Sequence, residues 1–168
     1  MKVQPEMSLG RVTLQSVVAT TSGTAIDFTN IPAGVRRVNL MLDQVQWNAS
    51  LLGLIQLGDS GGIENTGYYA GGGYVQNSNV AGVLVSSAGF HMTGTFNDGN
   101  AVSGKVSIEL MDAANNTWVA SGCLYHLNTP IMIAGSKSLS AVLDRIRLTT
   151  TTGTPVFNGG KAAISWEF

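Results

Sequence analysis

The stretch Val35-Arg36-Arg37-Val38-Asn39-Leu40-Met41-Leu42-Asp43-Gln44-Val45-Gln46 decides the fold. Val38, Leu40 and Leu42 share one face of an extended chain, and Arg37, Asn39, Met41 and Asp43 share the other, because successive side chains of a strand alternate. An apolar face backed by a polar one is the pattern of a half-buried antiparallel strand. The same period returns at 105–111, where Val106, Ile108 and Leu110 alternate with Lys105, Ser107 and Glu109. It returns again at the C-terminus, where Ile164, Trp166 and Phe168 alternate with Ala163, Ser165 and Glu167. Stretches 12–21, 51–57, 82–96, 118–126 and 139–150 read as further strands with less regular alternation. Ala, Glu and Lys do not gather between helix caps, whereas β-branched residues and Gly are frequent.

Turn signals separate these runs: Thr21-Ser22-Gly23, Ile31-Pro32-Ala33-Gly34, Gly58-Asp59-Ser60-Gly61-Gly62, Asn97-Asp98-Gly99-Asn100, Ala113-Ala114-Asn115-Asn116 and Asn158-Gly159-Gly160. Asp-Gly and Asn-Gly tolerate the positive φ that tight hairpins require. Spacings of about 10 to 20 residues predict eight or more strands in an antiparallel β-sandwich of jelly-roll type. Residues 12–168 read as one domain and residues 1–11 as an N-terminal arm in which Pro5 bars regular ladder pairing. Segment 61–79, with Gly71-Gly72-Gly73 among Tyr68, Tyr69 and Tyr74, shows little core pattern and reads as a long exposed loop.

Composition narrows the function. The 168 residues carry 9 Lys plus Arg and 10 Asp plus Glu, a net charge of −1, and only 11% are charged, against roughly 25% in an ordinary soluble domain. Without a basic field the chain is not expected to grip nucleic acid. It has no apolar run long enough for a membrane-spanning helix, and residues 1–10 lack a signal-peptide core. A single cysteine, Cys123, makes no internal disulfide and reads as a small buried hydrophobe. Synthesis in the cytoplasm is expected. Ser, Thr and Asn number 15, 15 and 12. A surface so rich in small polar groups and so poor in charge suits a protein covered by other subunits.

Chemical motifs are weak. Gly58-Asp59-Ser60-Gly61-Gly62 matches the string around the nucleophile of trypsin-like proteases, but both histidines, His91 and His126, lie downstream of Ser60, and a turn explains the string. His91 and His126 are too few for a zinc site and read as structural. Cys123 and His126 are three apart and fall on opposite faces of a strand. The acids Asp43, Asp59, Glu64, Asp98 and Asp112 are scattered, with no calcium-loop spacing. No enzymatic activity, metal or cofactor is expected. A binding role centres on Tyr68, Tyr69 and Tyr74 with Asn65, and on Trp47 at a strand end. These rings either stack on sugars or pack on the sandwich or a neighbouring subunit. Trp118 and Trp166 read as core or interface.

The run from Ala19 through Thr21-Ser22-Gly23-Thr24-Ala25-Ile26-Asp27-Phe28-Thr29-Asn30-Ile31-Pro32 to Val38 resembles the opening of small β-rich proteins of tailed bacteriophages and prophages. Ile55-Gln56-Leu57-Gly58-Asp59-Ser60 to Tyr68, and Ser138-Leu139-Ser140-Ala141-Val142-Leu143-Asp144-Arg145-Ile146-Arg147-Leu148, resemble two later segments of the same family. The resemblance implies a non-enzymatic virion structural protein with a jelly-roll-like domain, in a capsid decoration, head-fibre or tail-fibre role. It implies a homo-oligomer, commonly a trimer, in contact with other virion proteins. A carbohydrate-binding, receptor-recognition module that contacts host surface glycan is the alternative. The family carries no catalytic residues over to this chain.

Overall fold

The computed structural model describes residues 12–76, 79–92 and 101–168. Among them no helix occurs, and two antiparallel sheets pack face to face. The larger sheet contains β1 (Thr13–Leu14), β2 (Val18–Ala19), β4 (Arg37–Trp47), β7 (Tyr68–Gln76), β8 (Asn79–Ser86), β10 (Val102–Asp112), β11 (Thr117–His126), β12 (Thr129–Ser138) and β14 (Phe157–Glu167). Its order is β1-β14-β4-β10-β11-β12-β7-β8, with β2 also on β14. The smaller sheet has β3 (Ile26–Phe28), β13 (Arg145–Thr150), β5 (Gly53–Asp59) and β6 (Gly62–Ile63) in that order, with β9 (Phe90–His91) also on β5. The expected antiparallel sandwich is present; these pairings do not by themselves define a jelly roll.

The core lies between the sheets. Val38, Leu40, Val106, Ile108, Trp118, Leu124 and Ile131 from the larger sheet meet Ile26, Phe28, Ile55, Leu57, Phe90, Ile146 and Leu148 from the smaller. Each fully buried side chain of this size contributes about 1.5–3 kcal/mol relative to exposure, so the core alone supplies the driving force for closing the sandwich.

The alternation in β4 is broken once. Asp43 and Gln44 are both exposed, and Val45 and Trp47 are buried again. Gln44 is an extra residue: Gly104 and Val102 of β10 pair with Leu42 and Val45, and Lys161 and Gly159 of β14 pair with Asp43 and Gln46. The bulge places Gln44 at φ 54 and resets the phase, so both halves of the strand keep their apolar side inward. Gly160, at φ 85, lies where any Cβ would run into the Gln44 carbonyl, which is why glycine stands there.

Several segments differ from expectation. Stretch 12–21 holds two short strands, β1 and β2, the described part of 82–96 is divided between β8 and β9, and β12 is a full strand where none was expected. Only Arg145–Thr150 of the stretch 139–150 is a strand; Leu139 and Leu143 are buried from the preceding loop, which mimics strand patterning. Segment 61–79 is not a long exposed loop. Most of it is β6 and β7, and β7 is an interior strand between β12 and β8. The arm at 1–11, residues 93–96 of the expected strand 82–96 and the turn at 97–100 lie outside the described residues.

Candidate functional site: the uncharged face of the larger sheet

Strand β7 sorts the three tyrosines by alternation. Tyr68 points inward and is 5% exposed; Tyr69 points outward and is 87% exposed. Tyr74 is half-buried and packs on the core. Tyr68 meets Phe90 edge to face with centroids 5.2 Å apart. Its hydroxyl accepts a hydrogen bond from the Leu57 N–H at 2.6 Å and donates to the Glu64 carbonyl at 3.0 Å. That placement has a reason in the sheet. On this edge of β5, β6 pairs only with Gly58 and Asp59, and β9 only with Leu54 and Ile55. The Tyr68 hydroxyl fills the gap between the two short partners. Burial pushes the phenol pKa well above its ordinary value, and the Glu64 charge adds to it. Tyr68 is therefore a structural residue rather than an exposed ligand contact.

Beneath it lies a polar network. The Lys137 side chain, 6% exposed, donates to Glu64 Oε2 and to the Ser138 carbonyl, and its ammonium lies 5.6 Å from the centre of the Tyr68 ring. The Ser140 N–H donates to Glu64 Oε1 at 2.7 Å, and the Ser140 hydroxyl donates to Asp59 Oδ2 at 2.6 Å. The Ser140 hydroxyl bond holds the Asp59 pKa below the usual carboxylate range, with burial opposing it. At Glu64 burial pushes upward, but the bonds from Lys137 and Ser140 outweigh it and the pKa is lowered. These groups tie the β5–β6 hairpin to the loop after β12. Ser60 and Gly61 form the hairpin's two-residue turn, and Asp59 Oδ1 accepts from the Gly61 N–H at 2.8 Å. The aspartate beside Ser60 is thus occupied in closing the turn.

The remaining expected residues scatter. Trp47 closes the end of β4; it is buried, stacks edgewise on Phe157 and donates its indole N–H to the Leu51 carbonyl at 3.0 Å. It is a core residue. Asn65 is exposed and lies beside the smaller sheet. His91 and His126 are buried, as expected of structural histidines, and burial lowers both pKa values. Trp118 is core and Trp166 packs against it. Cys123 is exposed, not buried: Trp118, Ala120, Leu124 and His126 take the inner side of β11, so the odd-numbered positions face out. Among the described residues no three His, Cys, Asp or Glu side chains gather to hold a metal ion.

What the structure does assemble is a two-part outer face on the larger sheet. On β14, β4 and β10 that face is charged and largely paired: Arg37 meets Glu109 and Glu167, each at 3.2 Å, and Lys161 meets Asp43 at 3.3 Å, while exposed Lys105 of β10 makes no ion pair among the described residues. On β11, β12 and β7 it carries Val119, Ser121, Cys123, Tyr125, Pro130, Met132, Ala134, Ser136, Tyr69, Gly71 and Gly73, and no charged side chain. Val85 of β8, 79% exposed, stands opposite Gly71. Because Gly71 has no side chain, Tyr69 and Val85 wall a groove of about 410 Å³ floored by Gly71 and Ala134. Four strands about 4.8 Å apart and about 20 Å of strand length give this half a plan area of roughly 400 Å². That is at the size where an apolar surface patch signals a contact site. The signal in the sequence was the alternation of 118–126 and 129–138, which separates uncharged outer residues from inner ones.

No protein-family model, curated protein or solved structure matches this chain.

Proposed function

We propose that the protein is a non-enzymatic structural subunit of a bacteriophage particle, a capsid decoration, head-fibre or tail-fibre component, that works as a homo-oligomer. The observation that carries the reading is the charge-free outer face of β11, β12, β7 and β8, in a chain whose other outer half gathers the charged side chains, mostly in ion pairs. The low overall charge and the resemblance of 19–38, 55–68 and 138–148 to phage β-proteins support it. A stable pairwise contact buries about 800 Å² per partner, so a patch of roughly 400 Å² is the apolar centre of a contact whose rim is the surrounding Ser and Thr hydroxyls. A sister copy supplies a surface equally free of charge, which leaves no ionic group stranded on burial.

Light scattering tests the assembly: purified protein is expected as an oligomer, a trimer by the resemblance, at micromolar concentration. Tyr69→Lys, which places a charge on the wall of the groove in this patch, is expected to yield monomers of unchanged fold. A wild-type protein that scatters as a monomer overturns the reading. Density for the chain in a map of the particle tests the virion role directly. The second reading, a receptor-recognition module for host glycan, rests on the exposed Tyr69 beside its groove.

A further inference from the structure

The smaller sheet has an outer face of different chemistry. Arg147 of β13 pairs in register with Gln56 of β5. Together with Asn65 and the turn from Thr150 to Gly153 they enclose a groove of about 230 Å³ lined almost wholly by polar groups. Drug-sized ligands occupy roughly 300–1,000 Å³, so this groove takes something smaller. The absence of an aliphatic or aromatic wall excludes an apolar ligand.

Its charge is cancelled in place. Arg147 donates Nε and Nη2 to the two carboxylate oxygens of Asp27, both at 2.7 Å. Arg145, two residues earlier, is clasped the same way by Asp144 at 2.6 and 3.0 Å. An anion arriving here meets an arginine already satisfied by a bidentate carboxylate, so phosphate or a sugar acid is disfavoured. The polar atoms are also held still. The Gln56 amide N–H donates to the Ala88 carbonyl at 2.9 Å, which leaves Oε1 as an acceptor, and the Thr149 hydroxyl donates to the Thr24 carbonyl at 3.1 Å. The groove presents Arg147 Nη1 as a donor, Gln56 Oε1 as an acceptor, the Asn65 amide and Thr151 hydroxyl as both, and the Thr152 hydroxyl, which shares one bond of 2.9 Å with Thr154. Fixed, neutral and alternating donors and acceptors match a ligand whose every oxygen is itself donor and acceptor.

We infer that this groove is a subsite for one ring of a neutral sugar. It deepens the host-contact part of the proposed function but does not depend on assembly, because every residue of the groove belongs to one copy. The test is saturation-transfer NMR on the full chain with methyl glycosides of neutral hexoses, and with N-acetylneuraminic acid and inorganic phosphate as anionic probes. At least one neutral glycoside is expected to bind with a Kd of roughly 1 mM, ordinary for a single ring. Asn65→Ala and Thr152→Ala, both at surface positions, are expected to weaken it by at least about threefold each. Arg147→Lys, which loses the planar fork, is expected to do the same, and Tyr69→Lys is expected to leave it unchanged. No transfer from any neutral glycoside at about ten times that concentration, binding of the anions alone, or binding indifferent to the Asn65 and Thr152 variants each overturns the inference. Light scattering on the same samples reports separately on the oligomer.

Discussion

Tyr68→Phe and Tyr69→Phe remove the same atom from adjacent residues, and the structure assigns them very different costs. At position 68 the lost hydroxyl strands the Leu57 N–H, which has it as acceptor at 2.6 Å in a buried gap of the β5 edge, and it removes the donor to the Glu64 carbonyl. A buried donor left without a partner costs about 1–3 kcal/mol. For a domain of this size each kcal/mol moves the midpoint by about 2–4 °C, so a central value of about 2 kcal/mol lowers Tm by about 6 °C. At position 69 the ring stands in solvent, and the change stays within about 0.5 kcal/mol. Thermal unfolding followed by circular dichroism, at a concentration low enough to keep both variants in one oligomeric state, measures the pair. Equal shifts for the two variants would falsify the inward placement of Tyr68 and restore the reading of this segment as an exposed loop.

Other outcomes follow from the same geometry. Gly160→Ala is expected to cost at least about 2 kcal/mol, because alanine at φ 85 meets the Gln44 carbonyl; chemical denaturation showing a smaller loss refutes the close approach. His91 and His126 have folded pKa values lowered by burial, so the unfolded chain binds more protons and stability falls as pH drops below the unfolded value of about 6.5. Tm measured from pH 7.5 to 5 is expected to decline, and the slope should flatten in a His91→Gln, His126→Gln double variant. A second decline is expected below about pH 4.5, as Asp59 and Glu64, whose folded pKa values are lowered, become protonated and release Ser140 and Lys137; it should persist in the histidine variant. Cys123 lies on the uncharged face, so its reaction with a thiol reagent is expected to slow as protein concentration rises. A rate independent of concentration argues against copies meeting there.

The sandwich was readable where one side of a strand meets water and the other meets the core. In β4 and β10 that contrast writes itself into the residues, in β4 as Val38, Leu40 and Leu42 against Arg37, Asn39 and Asp43; in β14 Ala162, Ala163, Ile164 and Ser165 are all buried, and Phe168, expected on the apolar face, is exposed. β5 was less regular because all seven of its residues are buried; the segment that ends in β9 lies along it, and the Gln56 amide reaches the Ala88 carbonyl. β7 was illegible for the opposite reason. Gly71, Gly72 and Gly73 have no side chain with which to show a period, and the strand is specified by partners far off in the chain, β12 and β8. Of the three tyrosines singled out in this region only Tyr69 faces outward, and the parity that separates it from Tyr68 exists only once the segment is known to be extended. Asn65 joins Gln56 and Arg147 through sheet pairing that no local pattern announces.

The extra residue in β4 has a consequence for how the chain can vary. Removing Gln44 alone would turn Val45 and Trp47 toward water and expose two anchors of the hydrophobic interior. Gly160, whose missing Cβ makes room for the Gln44 carbonyl, would lose the irregularity it accommodates. Length changes at this point are therefore heritable only as a set. Homologous chains should either keep a left-handed residue here with glycine facing it on the neighbouring strand, or lack both together.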